Sequence, residues 1–219
     1  MIRFFQWFVR ITAWIPQFFC FRTKIYYQDK KIQSRKIKNS AIIISNHTSV
    51  YDYAVMLFVF PWRTLRYLMA EVLFEMKGLG RFLNAMGGVK VNREAMDFSF
   101  LLKAEDILEN GGVLGSFPES RLPKDGEERP LPFAPSTAYI AIRSGAPVIP
   151  VYTNGSYFSR KRARVIIGTP IYASEYTDET TTEKERVERL NGVMRQRILE
   201  LRDELERRTQ NRKKAQKTQ

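Results

Sequence analysis

The spacing of apolar positions changes repeatedly along this chain, and each change marks an element. Ala41-Ile42-Ile43-Ile44 is a short, β-branched apolar run of the kind that forms a strand buried on both faces. It leads into Ser45-Asn46-His47-Thr48-Ser49, polar residues whose side chains bond nearby backbone groups and favour turns and caps. A helix is predicted to follow over residues 48–60. Further strands are predicted at 65–70, 89–92, 113–117, 148–151 and 164–167, with helices at 71–86, closed by Gly87-Gly88, at 94–109 and at 136–144. Residues 23–39 alternate weakly and are basic, which predicts one or two exposed strands. Strands alternating with helices imply an α/β fold, a mainly parallel sheet covered by helices.

The two ends follow a different pattern. Read as a helix, residues 1–22 place Arg3, Gln6, Arg10, Ala13 and Gln17 in one narrow polar stripe, opposite a broad apolar face that includes Phe4, Trp7, Phe8, Ile11, Trp14 and Phe18. The longest uncharged run, 11–21, has eleven residues, whereas a spanning helix needs about 20. The expectation is an amphipathic helix lying in a membrane interface, its arginines at headgroup level and Pro16 kinking or breaking it. A helix packed on the protein's own core would show the same pattern. At the other end Val187, Leu190, Met194, Ile198, Leu201 and Leu205 predict a long amphipathic helix over 183–208. The predicted organisation is an interfacial helix at 1–22, one domain at 23–208, and a basic, disordered tail at 209–219 drawn to anionic lipid.

Charge narrows the partners. A formal net charge of +13 calls for nucleic acid, an anionic membrane surface or phosphorylated substrates. Nucleic acid is disfavoured, because the aromatic residues gather at the N-terminus and no recognition motif is present. The single cysteine, Cys20, excludes an internal disulfide, and no Cys/His cluster points to a metal. These features suit a metal-independent reaction in a reducing compartment, at the cytoplasmic face of the cell membrane.

His47 is the only histidine, and it sits at the mouth of the predicted strand-to-helix turn, where an α/β sheet presents functional groups. Asp52, five positions on, falls where its carboxylate reaches one imidazole nitrogen and fixes the tautomer, leaving the other nitrogen as a base. A Ser/His/Asp hydrolase with Ser49 is disfavoured, since the chain lacks a Gly-x-Ser-x-Gly elbow. A capped turn histidine beside an ordinary first-turn acid is the plain alternative.

Residues 46–52 resemble the His-x-x-x-x-Asp motif of the glycerolipid acyltransferases typified by lysophosphatidic acid acyltransferase. Three further blocks resemble that family in order: residues 80–93, ending Gly88-Val89-Lys90-Val91-Asn92-Arg93; Phe117-Pro118-Glu119 followed by Lys124-Asp125-Gly126; and Ala146-Pro147-Val148-Ile149-Pro150-Val151. The resemblance implies transfer of a fatty acyl group from acyl-coenzyme A or acyl carrier protein to the free hydroxyl of a lysophospholipid. Lysophosphatidic acid is the expected acceptor and phosphatidic acid the product, with no cofactor. It assigns His47 as base, Asp52 as its partner, Arg93 and Glu119 to the acceptor, and Arg121 or Lys124 to its phosphate. A developing oxyanion needs donors, and backbone amides at the helix start following His47 are available for it. The third block departs from Phe-Pro-Glu-Gly-Thr-Arg, with Ser120, Arg121 and Leu122 in its last places, and Glu71 stands near the usual lysine of the second. Another lysophospholipid or a lyso-aminolipid is the alternative acceptor, and a noncatalytic basic membrane-binding protein the alternative of another class.

Overall fold

The structure, a computed structural model, describes residues 1–92, 99–159, 161–176, 178 and 180–217, with side chains as far as 211. Among these residues one sheet is built from β1 (Lys24–Tyr27), β2 (Ala41–Ser45), β3 (Leu65–Ala70), β4 (Val89–Val91), β5 (Val113–Ser116), β6 (Val148–Thr153) and β7 (Arg164–Ile167). Their order is β1-β7-β6-β2-β5-β3-β4. β2 pairs in parallel with β5 on one side and β6 on the other, while β7 runs antiparallel to β6 and carries β1 at the edge. The central place of β2 explains its unbroken apolar run. Ile42 and Ile44 point into one core and Ala41 and Ile43 into the other, so both faces are buried.

The helices are α1 (Ile2–Thr12), α2 (Trp14–Cys20), α3 (Asp52–Val59), α4 (Val72–Glu75), α5 (Leu79–Ala85), α6 (Ser99–Glu109), α7 (Ser136–Ser144) and α8 (Glu183–Lys217). α6, α7 and α8 cover one face of the sheet, and α3 covers the other. All six apolar positions expected to dock α8 are buried. α8 continues beyond Arg208, where its apolar spacing ends, because residues 209–217 contain no glycine or proline to stop it.

The element boundaries differ from expectation in two instructive places. α3 begins at Asp52 because the Asp52 carboxylate takes up the amides of Thr48 and Ser49, holding 48–51 as a turn. The helix expected over 71–86 is two, α4 and α5, which meet so closely that a Cβ on Gly80 would lie 2.0 Å from the Phe74 carbonyl oxygen. The helix expected from residue 94 is described only from Ser99, the start of that range lying outside the described residues.

The N-terminal segment corrects the expectation most. It breaks at Ala13 and not at Pro16 itself, because Pro16 is tolerated only within the first turn of a new helix, α2. Within the polar stripe of α1, Gln6 and Arg10 are buried and face the protein, not headgroups, while Arg3 stays exposed. Gln6 donates to the carbonyls of Leu65 and Met86, both at 2.7 Å, and accepts from the Leu65 amide. Arg10 donates to the carbonyls of Leu57 and Arg63 at 3.0 and 2.7 Å, and burial pulls its pKa below the ordinary guanidinium value. The ends of α3, β3 and α5 therefore find their orphan carbonyls satisfied by α1. The apolar face is left outside, with Phe4 78% and Ile11 69% exposed. No helix among the described residues is long and apolar enough to cross a membrane.

Candidate active site

β2, β5 and β6 are adjacent and parallel, so the turns that leave their carboxyl ends converge. The turn after β2 carries His47 and leads into Asp52 at the first position of α3. His47 Nδ1 lies 2.9 Å from Asp52 Oδ2. That oxygen also accepts from the amides of Thr48 and Ser49, at 2.6 and 2.9 Å, and Oδ1 accepts from the Thr48 hydroxyl at 2.9 Å. Asp52 is fully buried and serves as an acceptor at both oxygens, which makes His47 Nδ1 the donor of their bond. Nε2 then carries the lone pair, and no group among the described residues bonds it. Of the amides that follow His47, those of Thr48 and Ser49 donate to Asp52.

The turn after β5 fixes the imidazole from a second direction. Phe117 stacks on His47, ring centroids 4.4 Å apart and planes within 9°. Glu119 is buried and bridges two backbone amides, accepting from His47 at Oε1 and from Leu131 at Oε2, both at 2.8 Å. Burial raises the Glu119 pKa above the ordinary carboxylate value, and the two amides work against that rise. Glu119 thus ties the β2 turn to the loop beyond β5.

The turn after β6 supplies what sequence reasoning missed. The Tyr157 hydroxyl donates to Asp52 Oδ1 at 2.6 Å and lies 3.0 Å from the Thr153 hydroxyl. Burial pushes the Tyr157 phenol well up, and the Asp52 charge adds to the effect, so it stays a donor. Tyr157 stands 105 residues from Asp52 in sequence. Only the adjacency of β6 and β2, with the turn signal Asn154-Gly155-Ser156, could have pointed to it. A Cβ on Gly155 would come within 2.7 Å of the Thr48 hydroxyl, so only glycine lets that turn close on the site. Asn46 extends the ladder sideways, donating to the Thr153 carbonyl and accepting from its amide at 2.9 and 2.8 Å.

Two hollows meet at His47. One, of about 380 Å³, is walled by Tyr53, Leu68, Leu73, Leu83, Phe117 and Leu122. It is largely apolar and of a size that holds a lipid chain. The other, of about 100 Å³, is the more polar of the two, lined by residues that include Thr48, Glu119, Arg129, Asn154 and Arg202. Arg121 borders the apolar hollow, but its guanidinium is forked onto Glu127, both contacts 2.7 Å. Lys124 lies on the same exposed loop, its amide donating to Glu127. Arg93 lies outside the described residues. Phe4, Trp7, Phe8, Ile11, Trp14 and Phe18 are all exposed and stand apart from the dyad on α1 and α2. Among the described residues no group of three or more His, Cys, Asp or Glu is placed to hold a metal ion.

Comparison with known proteins adds four findings. A family model described as acyltransferase matches residues 24–154. A 1-acyl-sn-glycerol-3-phosphate acyltransferase of Bacillus subtilis is 26% identical over 171 residues, covering 75% of this chain and 82% of that protein. One from Limnanthes douglasii is 25% identical over 175 residues, covering 78% of this chain and 61% of its own length. The crystal structure of the 1-acyl-sn-glycerophosphate (LPA) acyltransferase from Thermotoga maritima superposes with a TM-score of 0.65 at 21% identity, covering 94% of this chain and 78% of that one.

Proposed function

Because the chain belongs to the acyltransferase family, we propose that it moves a fatty acyl group from a thioester, acyl-coenzyme A or acyl carrier protein, to the hydroxyl of lysophosphatidic acid. The observation that carries the reading is the His47–Asp52 pair at the junction of an apolar and a polar hollow. The acyl chain lies in the apolar hollow, its thioester at His47. The acceptor hydroxyl approaches from the polar side and gives its proton to His47 Nε2 as its oxygen attacks the thioester carbonyl. The carbon–sulfur bond then breaks, and the leaving thiolate takes the proton back from the imidazolium. Asp52 stabilises that imidazolium and, with Phe117 and Tyr157, holds its orientation. Glu119 keeps the acceptor side in register with His47. The relatives named for 1-acyl-sn-glycerol-3-phosphate support this choice of acceptor.

The exposed face of α1 and α2 supports a place on the cytoplasmic membrane surface. Its aromatics enter the acyl boundary while Gln6 and Arg10 anchor the helix to the domain. Phe5 packs on Phe82 of α5, so this face runs on to the helix whose Leu79 and Leu83 line the apolar hollow. A chain drawn from the bilayer enters there.

The reading is tested by phosphatidic acid formation in detergent micelles, with either thioester, by wild type and by His47→Ala. The variant is expected to lose at least about 100-fold in kcat, the scale of general-base catalysis, with an unchanged thermal midpoint. An undiminished rate in a folded His47→Ala protein sinks the dyad mechanism.

A further inference from the structure

Among the described residues, the apolar hollow offers little to an anion. Its cation, Arg121, is already neutralised by Glu127, whose carboxyl is pulled down to about 2 mainly by that guanidinium. Leu122 stands in the place where the resembling family carries arginine. The 100 Å³ recess that also borders His47 differs, since two arginines from distant parts of the chain line it. Arg129 comes from the loop after β5, and Arg202 from α8, which lies beyond the residues matched by the family.

We propose that Arg129 and Arg202 seat the phosphate of the acceptor lysolipid, an inference that rests on the acyl-transfer reading above. The recess has room for a few water molecules, each about 30 Å³ in the liquid, and hence for one tetrahedral anion. Its wall is built, not incidental. Arg202 donates to the Arg129 carbonyl at 3.1 Å, Arg195 to that of Pro130 at 3.0 Å, and Asn191 to that of Phe133 at 2.8 Å. α8 therefore pins the segment from outside while Glu119 holds Leu131 from inside. Among the described residues the hydrogen bonds at Arg129 engage its carbonyl, and its guanidinium points no bond elsewhere. Arg202 spends Nε on the exposed Asp203, at 3.0 Å, and keeps a second terminal nitrogen for a ligand. Both charges reach Tyr152 in the same recess, where they oppose the burial that raises its phenol to about 12. Two guanidiniums beside a base match a phosphate monoester, whose oxygens accept forked bonds and whose glycerol places a hydroxyl a few bonds away.

The test compares wild type with Arg129→Ala, Arg202→Ala, the double variant and Arg121→Ala, all as full chains in micelles and checked for thermal midpoint. Lysophosphatidic acid, uncharged monoacylglycerol and the thioester are each varied. Loss of a charged hydrogen bond is expected to raise the lysophosphatidic acid KM about tenfold for each arginine removed, and to erode selectivity over monoacylglycerol. A thioester KM that rises instead assigns the arginines to the donor's phosphate and overturns the proposal. So does an acceptor KM that moves only with Arg121→Ala. If wild type acylates no acceptor, the acyl-transfer reading has failed, and calorimetric titration with glycerol 3-phosphate decides the seat alone. Heat present in wild type and absent in the double variant supports it, whereas equal heats or none in both overturn it.

Discussion

Asp52 is held by more groups than the base it orients. Tyr157→Phe removes one of them, keeping the ring that packs on Phe21 while losing the hydroxyl. The expected outcome is a fall in kcat of about tenfold, the worth of one bond to a charged group, with thioester KM unchanged. Steady-state kinetics with the two constants resolved will show it, and an equal loss in both would make Tyr157 a packing residue only. The pair itself was legible in sequence, because a lone histidine at a strand-to-helix turn and an acid five residues on are local features. Tyr157, Phe117 as a stacking partner and Arg202 were not, since each reaches the site through a strand adjacency or helix docking that no local pattern encodes. The sequence offered backbone amides after His47 without placing them; those of Thr48 and Ser49 donate to the Asp52 carboxylate.

Elements were read most accurately where their ends carry their own signals. α7, closed by Gly145 in a left-handed conformation, and the strands β3 and β7 match residue for residue. α1 shows what periodicity leaves undecided, since a polar stripe with a broad apolar face does not say which side meets protein. The buried carbonyls of β3 and α5 decide it. Gln6→Leu keeps the bulk and deletes the bonds, stranding the Leu65 amide and two carbonyls. A loss of about 3 kcal/mol is expected from denaturant unfolding, and an unchanged midpoint would mean water replaces the side chain. The loop after β5 yields a pH test. Arg121 and the Lys124 amide depress the Glu127 carboxyl from 4.5 to about 2. A depressed acid contributes order that is full above 4.5 and lost as pH falls toward 2. Amide exchange across 121–127 should therefore stay protected from neutral pH to about 4.5 and rise below it. Exchange that is already fast at neutral pH would remove this pairing as a restraint on the loop.

At the scale of the molecule, the α/β sheet and its helical cover were legible because five predicted strands alternate with helices; the reversed β7 was not, because strand direction depends on the connection. The exposed apolar face makes a quantitative expectation about lipid. Phe4→Glu with Ile11→Glu removes two large side chains, each worth about 1.5–3 kcal/mol when buried, without touching Gln6 or Arg10. Flotation with phosphatidylglycerol vesicles is expected to show affinity lower by at least about 100-fold at an unchanged thermal midpoint; full binding by the variant would locate the lipid contact elsewhere. The chain leaving this face is stitched to the catalytic end. The Phe158 amide donates to the Cys20 carbonyl at 2.8 Å, the Ala163 amide to Phe21 at 2.9 Å, and Phe21 packs edge-on against Tyr157. The segment of α1 and α2 is therefore a fixed keel. Were it seated in lipid, the height of His47 above the acyl chains would be set by these hydrogen bonds and packed rings. On the acyl-transfer reading proposed above, the lysolipid is then the party that moves, and turnover should track how loosely the bilayer holds its single-chain lipids.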